Sequence, residues 1–385
     1  MNLENLKTGD LIQAEWQEKF VIPSKNYHML EKSWLRISER RVTEPRNIVY
    51  YMASYFPEDN DGVRLPLENP FLFFKSTDTG TQIDITDNGY NRVTTNYFGT
   101  SEGVLRLTRV GNEIPVGQIF SINIRGSLLS SISSKIGTQN EINGWQIVNL
   151  TSTGLNSSLF GLNAFGDQFY LMQGGDWVNS PSDHGNYNGR FLYTYNSRKQ
   201  WLDTQNSTNH SGFLSELNCF HLTYTNASSN TTYRNFGYYK GDLIQNLSKG
   251  EWLIRFLNND NWINASGCVD FTNNVPPNKI LIKDNTEQIL CLGDIIQPLN
   301  VVNESTIVNY EWFKSDNIQI GDLDDELMNS GTNLNQYNPA QIQGDYHYYC
   351  RFSVKGYDNT ICYFYSNLFR IKITAKPKIT SINMN

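Results

Sequence analysis

Charge is the first thing this chain is short of. Only 18% of its 385 residues are Asp, Glu, Lys or Arg, and the formal net charge is −7. A surface that neutralises nucleic-acid phosphates needs clustered Lys and Arg, so nucleic acid is not expected as a partner. The one basic stretch, RISERRVTEPR at 36–46, is interleaved with acids and reads as a solvated face or linker. Long apolar runs are missing too. No uncharged stretch approaches the ~20 residues that cross a bilayer, so no membrane span is expected. The opening MNLENLKTGDLIQAEW has neither the basic nor the apolar region of a secretory signal. Synthesis in the cytoplasm without a signal peptide is the expectation.

Catalytic and metal signatures are equally sparse. The five cysteines (Cys219, Cys268, Cys291, Cys350 and Cys362) are odd in number and never spaced as CxxC, which removes the usual zinc and thioredoxin-type motifs. HExxH does not occur. The nearest thing to a metal loop is PEDNDGVRLPLE at 57–68, where Asp59, Asp61 and Glu68 fall on ligand positions of a calcium loop around Gly62. Its first position is Pro57, which offers no side-chain ligand, so the stretch reads as an acidic surface turn. No metal and no other cofactor is expected. Asp84, Asp87 and Glu102 are the only acids that suggest the paired carboxylates of a glycosidase, and Asp87-Asn88-Gly89 and Glu102-Gly103 read better as turns. His184, within Ser182-Asp183-His184-Gly185, has the chemistry of a ligand or general base, but a loop histidine making ordinary hydrogen bonds is the expected reading.

What the chain does have is Asn, Ser, Thr and Gly in quantity, with 22 tyrosines and 20 phenylalanines. That mixture fits an all-β protein working at a surface. The stretch 83–117 shows the pattern most clearly: residues 82–86 alternate, 87–89 turn, 103–110 alternate again, and Gly111-Asn112 turns back. Strand-like runs continue at 47–55, 71–75, 119–124, 145–150, 168–172, 191–195, 220–224 and 251–256, punctuated by turn residues. Residues 42–266 are therefore expected to form a large β-sandwich domain, with 240–247 as its best helix.

Residues 1–41 read as a short helical docking segment, carrying Leu11, Ile12 and Trp16 on one helix and Trp34 and Leu35 on a second at 27–38. Two such helices cannot bury themselves and need a partner surface. A linker at 267–277 contains Val275-Pro276-Pro277, and 375–385 is a tail. Between them, 278–374 reads as an immunoglobulin-like domain. Cys291, Trp312 and Cys350 have the order and spacing of the strand B, C and F residues, with Tyr348 where a tyrosine corner would lie. Cys291 and Cys350 either pair across this sandwich in an oxidising space or sit as buried thiols against Trp312, with Cys362 a competing partner. Among the aromatics, Trp177, Tyr187 and Trp201 lie in or near polar loops and are the expected exposed partner contacts.

The large domain resembles a β-rich module of large surface and secreted proteins of Bacteroidetes. The likeness runs over Ile85-Thr86-Asp87-Asn88-Gly89-Tyr90, Glu102-Gly103-Val104-Leu105, Ile114-Pro115-Val116-Gly117, Leu162, Gly166-Asp167-Gln168-Phe169-Tyr170, Gln173-Gly174, Phe191-Leu192-Tyr193 and Trp262. TDNGW-type and GDQ-type signatures recur in that family in this order, and Tyr90 stands here for the usual Trp. The C-terminal part resembles the Ig-like domains that often follow such modules. The opening GDLIQAEW is similar to the start of many tail and baseplate-associated proteins of phages and phage-like contractile injection systems.

These resemblances imply structural and adhesive roles and bring no catalytic residues. The expected protein is a mainly β, non-enzymatic structural subunit of a phage-like particle, at the baseplate, fibre or outer cage. Its partners would be other subunits of a large assembly, in a symmetric ring or a projecting fibre, within a particle that is released from the cell. An exported cell-surface adhesin or carbohydrate-binding module, meeting surface glycans or proteins, is the alternative. A hydrolase using Asp183 and His184 is the third reading.

Overall fold

The computed structural model describes residues 36–40, 47–53, 80–91, 97–99, 103–114, 119–125, 139–142, 144–150, 168–180, 184–196, 200–202, 206–207, 210–223, 236–239, 241–242, 244–265, 280–315 and 317–377. Leu11, Ile12, Trp16, Trp34 and Leu35 of the expected docking segment, and Asp59, Asp61 and Glu68 of the acidic turn, lie outside the described residues. The fold is mainly β, with sandwich-like packing. The chain divides into two compact units, one of residues 1–64, 72–245 and 256–281, the other of 65–71, 246–255 and 282–385.

The first unit is built on a seven-stranded sheet whose middle strands are Gln168–Gln173, Gln82–Thr86 and Val104–Arg109. Because side chains alternate between faces, Gln168–Gln173 and Val104–Arg109 each feed two cores, while Gln82–Thr86 feeds one. Ile83, Ile85, Leu105, Leu107, Phe169 and Leu171 meet Trp145 and Ile147 on one face. Val104, Tyr170 and Met172 point to the other and meet Tyr90, Phe98 and Trp177 of a four-stranded sheet. A strand buried on both faces requires apolar residues at nearly every position, and FYLM at 169–172 supplies them.

A separate five-stranded sheet runs in the order Trp262–Ala265, Phe236–Tyr239, Arg36–Arg40, Asn47–Ala53, Ile119–Arg125. Residues 36–38, expected at the end of a helix, are therefore strand. Ile37 is the one apolar residue of RISER, too few to hold a helical stripe, while pairing on both sides satisfies the backbone.

In the second unit the sheet order is Thr286–Cys291, Phe369–Thr374, Gly344–Lys355, Ile307–Ser315, Glu326–Gly331, with Ile361–Tyr365 also paired to the long strand Gly344–Lys355. The first and last strands of this sheet in chain order, Thr286–Cys291 and Phe369–Thr374, lie side by side in parallel. A two-stranded ribbon, Leu299–Asn300 with Gln336–Tyr337, supplies Tyr337, which stacks on the buried Trp312 at 5.6 Å.

The helix Lys249–Leu257 corrects two expectations: 251–256 is not a strand, and the described residues of 240–247 form turns and a short strand rather than the best helix. Trp252, Leu253, Ile254 and Phe256 are all buried, so the apolar run has no polar side to reveal its period. The helix begins with a capping box. Ser248 Oγ accepts from Glu251 N at 3.3 Å, and Glu251 Oε2 accepts from Ser248 N at 2.8 Å. The other carboxylate oxygen of Glu251 accepts from Val302 N at 2.7 Å, and Arg255 pairs with Glu304 at 2.9 Å.

Candidate functional site

Asp84 and Arg106 face each other across the ladder between the two middle strands. Arg106 Nε donates to Asp84 Oδ1 at 2.8 Å and Nη2 to Oδ2 at 2.9 Å. The Tyr187 hydroxyl donates to the same Oδ2 at 2.8 Å and accepts from Gly175 N at 3.0 Å. Arg106 also donates to Asp176 Oδ1 at 3.1 Å and to the Gly175 carbonyl. Asp84 is 1% exposed. Its hydrogen bonds raise the Arg106 pKa further, while burial above all, and then Asp84, push the Tyr187 hydroxyl up. A carboxylate held by three donors is a lock, with both oxygens already engaged.

Asp87 is buried as well, within the fully buried segment Thr86-Asp87-Asn88. Thr86 Oγ1 donates to Gly103 O at 3.0 Å and accepts from Asn88 N at 3.1 Å. Gln168 Nε2 donates to Asp87 O at 2.7 Å. Tyr90 N donates to Ser211 Oγ at 2.7 Å, and the Tyr170 hydroxyl meets the same oxygen at 2.7 Å. The TDNG and GDQ signatures thus fasten one connection between strands. Glu102 and Asp183 lie outside the described residues, and His184 is described only as the first residue of the strand His184–Tyr187.

Trp177, Tyr187 and Trp201 are not exposed contacts: they are 8%, 4% and 5% exposed, inside the aromatic core of the first unit. The polar residues around Trp177 and Tyr187 belong to two paired strands, Trp177–Ser180 and His184–Tyr187. Gly185 makes this possible, because a Cβ there would collide with the Trp177 ring. Trp201 Nε1 donates to Thr223 Oγ1 at 2.8 Å, and its ring lies 5.3 Å from Phe213. The His221 ring also lies 5.4 Å from Phe213, and burial lowers its pKa to about 4.

In the second unit Cys291 and Cys350 are both free thiols, not a disulfide. Cys291 lies on the end strand that runs parallel to Phe369–Thr374, whereas Cys350 pairs with Trp312 on interior strands of the same sheet. Burial raises the Cys350 pKa well above its usual value, which suits an unreactive core thiol. Trp312 keeps its expected place, with Nε1 donating to Leu334 O at 2.7 Å. The backbone hydrogen bond of a tyrosine corner is made by Tyr346, whose hydroxyl donates to Gln343 O at 3.0 Å, while Tyr348 packs on Tyr337 at 5.7 Å.

Two surface features of the second unit escaped the sequence reading. One is a pocket of about 160 Å³ beside the end strand Thr286–Cys291, lined by Pro298, Leu299 and Phe369 and by Lys283, whose ammonium lies 5.1 Å over the Phe369 ring. The other is the ordered loop before Glu326–Gly331, which displays Ile318 and Leu323. Exposed hydrophobes in polar loops look like noise in a sequence; only the fold shows that these are held out. No protein-family model and no curated protein matches this chain. Among the described residues, no group of three or more His, Cys, Asp or Glu is placed to hold a metal ion.

Proposed function

We propose that this chain is a structural subunit of a phage-like particle, a contractile injection system or phage tail, acting through protein contacts at the baseplate, fibre or outer cage. One observation supports the reading above others. The second unit holds large apolar side chains out from an ordered loop and from both end strands of its sheet, among them Ile289, Leu323 and Leu327. Among the described residues, the candidate acids Asp84 and Asp87 and the expected contact residues Trp177, Tyr187 and Trp201 are buried in the first unit. Affinity purification of the tagged full chain from native lysate, with electron microscopy of the eluate, tests the role. Co-purifying particles with regular symmetry are expected; a free monomer with no particle would sink the proposal.

A second reading, an exported adhesin or carbohydrate-binding module, has its own observation. Tyr363 is exposed on the outer face of the second unit, with the Arg351 guanidinium 4.7 Å over its ring. Arg351 is itself paired to Glu311 at 2.8 Å. A ring flanked by planar polar groups suits stacking against a sugar. Binding on a glycan panel that is lost in Tyr363→Ala would favour this reading; no glycan bound by the wild type would remove it.

A further inference from the structure

The loop that carries Leu323 is ordered by its own hydrogen bonds. Ser315 Oγ donates to Gln319 O at 3.1 Å, and Asn317 Oδ1 accepts from Gln319 N at 2.6 Å. Asn317 Nδ2 donates to Asp322 Oδ2 at 2.7 Å. Asp325 Oδ2 accepts from Asp322 N at 3.1 Å and from the Tyr349 hydroxyl at 2.7 Å. Ile320 packs inward on Tyr349 and Tyr365, leaving Ile318 at 76% and Leu323 at 103% exposure. An apolar side chain presented this way loses little freedom on binding. Its neighbours Asp322, Asp324, Asp325 and Glu326 make the knob acidic, with Lys314 beside Glu326 the nearby cation.

The pocket lies at the other end of the same sheet, beside Thr286–Cys291, while the knob lies beside Glu326–Gly331. Its volume of about 160 Å³ is below the roughly 300 Å³ at which small-molecule sites begin, so it suits a single side chain. Its rim carries Lys283 and Arg370; Glu287 and Asp345 share Arg370, and Lys283 is the rim cation not paired to either acid.

We propose that a second copy of this chain docks here head to tail, Leu323 of one copy seating in the pocket of the next and its acidic flank facing the Lys283 rim. Knob and hole are different surfaces, so the contact repeats into an open fibre or closes into a ring. The proposal deepens the structural role by naming the partner, and rests on that reading for its setting. One seated leucine falls well short of the roughly 1,200 Å² of a stable interface, so the contact is weak and reversible, and salt weakens it further.

Sedimentation velocity of the full chain across a concentration series tests this with Leu323→Asp and Lys283→Glu, both at surface positions. The wild type is expected to grow in size with concentration, and each variant alone to stay monomeric. An equimolar mixture of the two is expected to form a 1:1 dimer and nothing larger, because one knob and one hole remain. A wild type that is monomeric throughout overturns the proposal, as do oligomers that persist in Leu323→Asp. A monomeric wild type that still co-purifies with particles removes this contact and leaves the structural role standing. Self-association through Leu323 without any particle does the reverse.

Discussion

The Asp84 carboxylate is where single residues matter most in the first unit. Arg106→Ala would strand a buried charge, and such losses cost about 3–5 kcal/mol, read as a lower denaturant midpoint. Tyr187→Phe leaves the Arg106 pair in place but removes a donor to Asp84 and an acceptor for Gly175 N, a loss of about 1–3 kcal/mol. His221 gives the unit a pH dependence. Its folded pKa is lowered to about 4, while the unfolded chain titrates near ~6.5. Between those values the unfolded state binds the extra proton. Stability is therefore full above pH ~6.5 and falls, by roughly 3 kcal/mol at most, as the pH drops toward 4. A urea midpoint series over that range should show the slope in the wild type and lose it in His221→Gln; a flat wild-type profile would contradict the argument.

At the scale of elements, the helix Lys249–Leu257 supports a prediction that runs against propensity. Gly→Ala inside a helix usually gains up to ~1 kcal/mol. At Gly250 it should destabilise instead, because the added Cβ would run into the Tyr365 backbone. Thermal melting of Gly250→Ala decides it. Glu251→Ala should lose about 2 kcal/mol, since one carboxylate closes the capping box and holds Val302 N. The Ser248-Lys249-Gly250-Glu251 box was legible in the sequence. The run Trp252-Leu253-Ile254, which is buried on all sides, reads like a strand and led to the expectation of one at 251–256. Where one strand face met one core the alternation was sufficient, and 82–86 and 104–109 fall where they were expected. The exposure of Trp177, Tyr187 and Trp201 was misread because polar neighbours mark loops and short paired strands alike. Of the two alternatives left open for Cys291 and Cys350, the free thiols hold and the disulfide does not; spacing along the chain does not reveal which strands share a sheet.

For the molecule as a whole, the boundary of the second unit is the testable quantity. Residues 246–255 belong to it, and Glu251 and Arg255 reach Val302 and Glu304. A fragment of residues 246–377 should unfold in one cooperative transition. A fragment of residues 278–377, cut where the linker was expected, should be measurably less stable by urea denaturation; equal midpoints would show that the helix contributes nothing. The parallel pairing of Thr286–Cys291 with Phe369–Thr374 bears on biosynthesis. Contacts between distant stretches of chain form slowly, and here the partner strand is translated only after the whole of the intervening sheet. Until Phe369 emerges from the ribosome, the earlier strand waits with its backbone unpaired. A chaperone that shields nascent chains would find its target there.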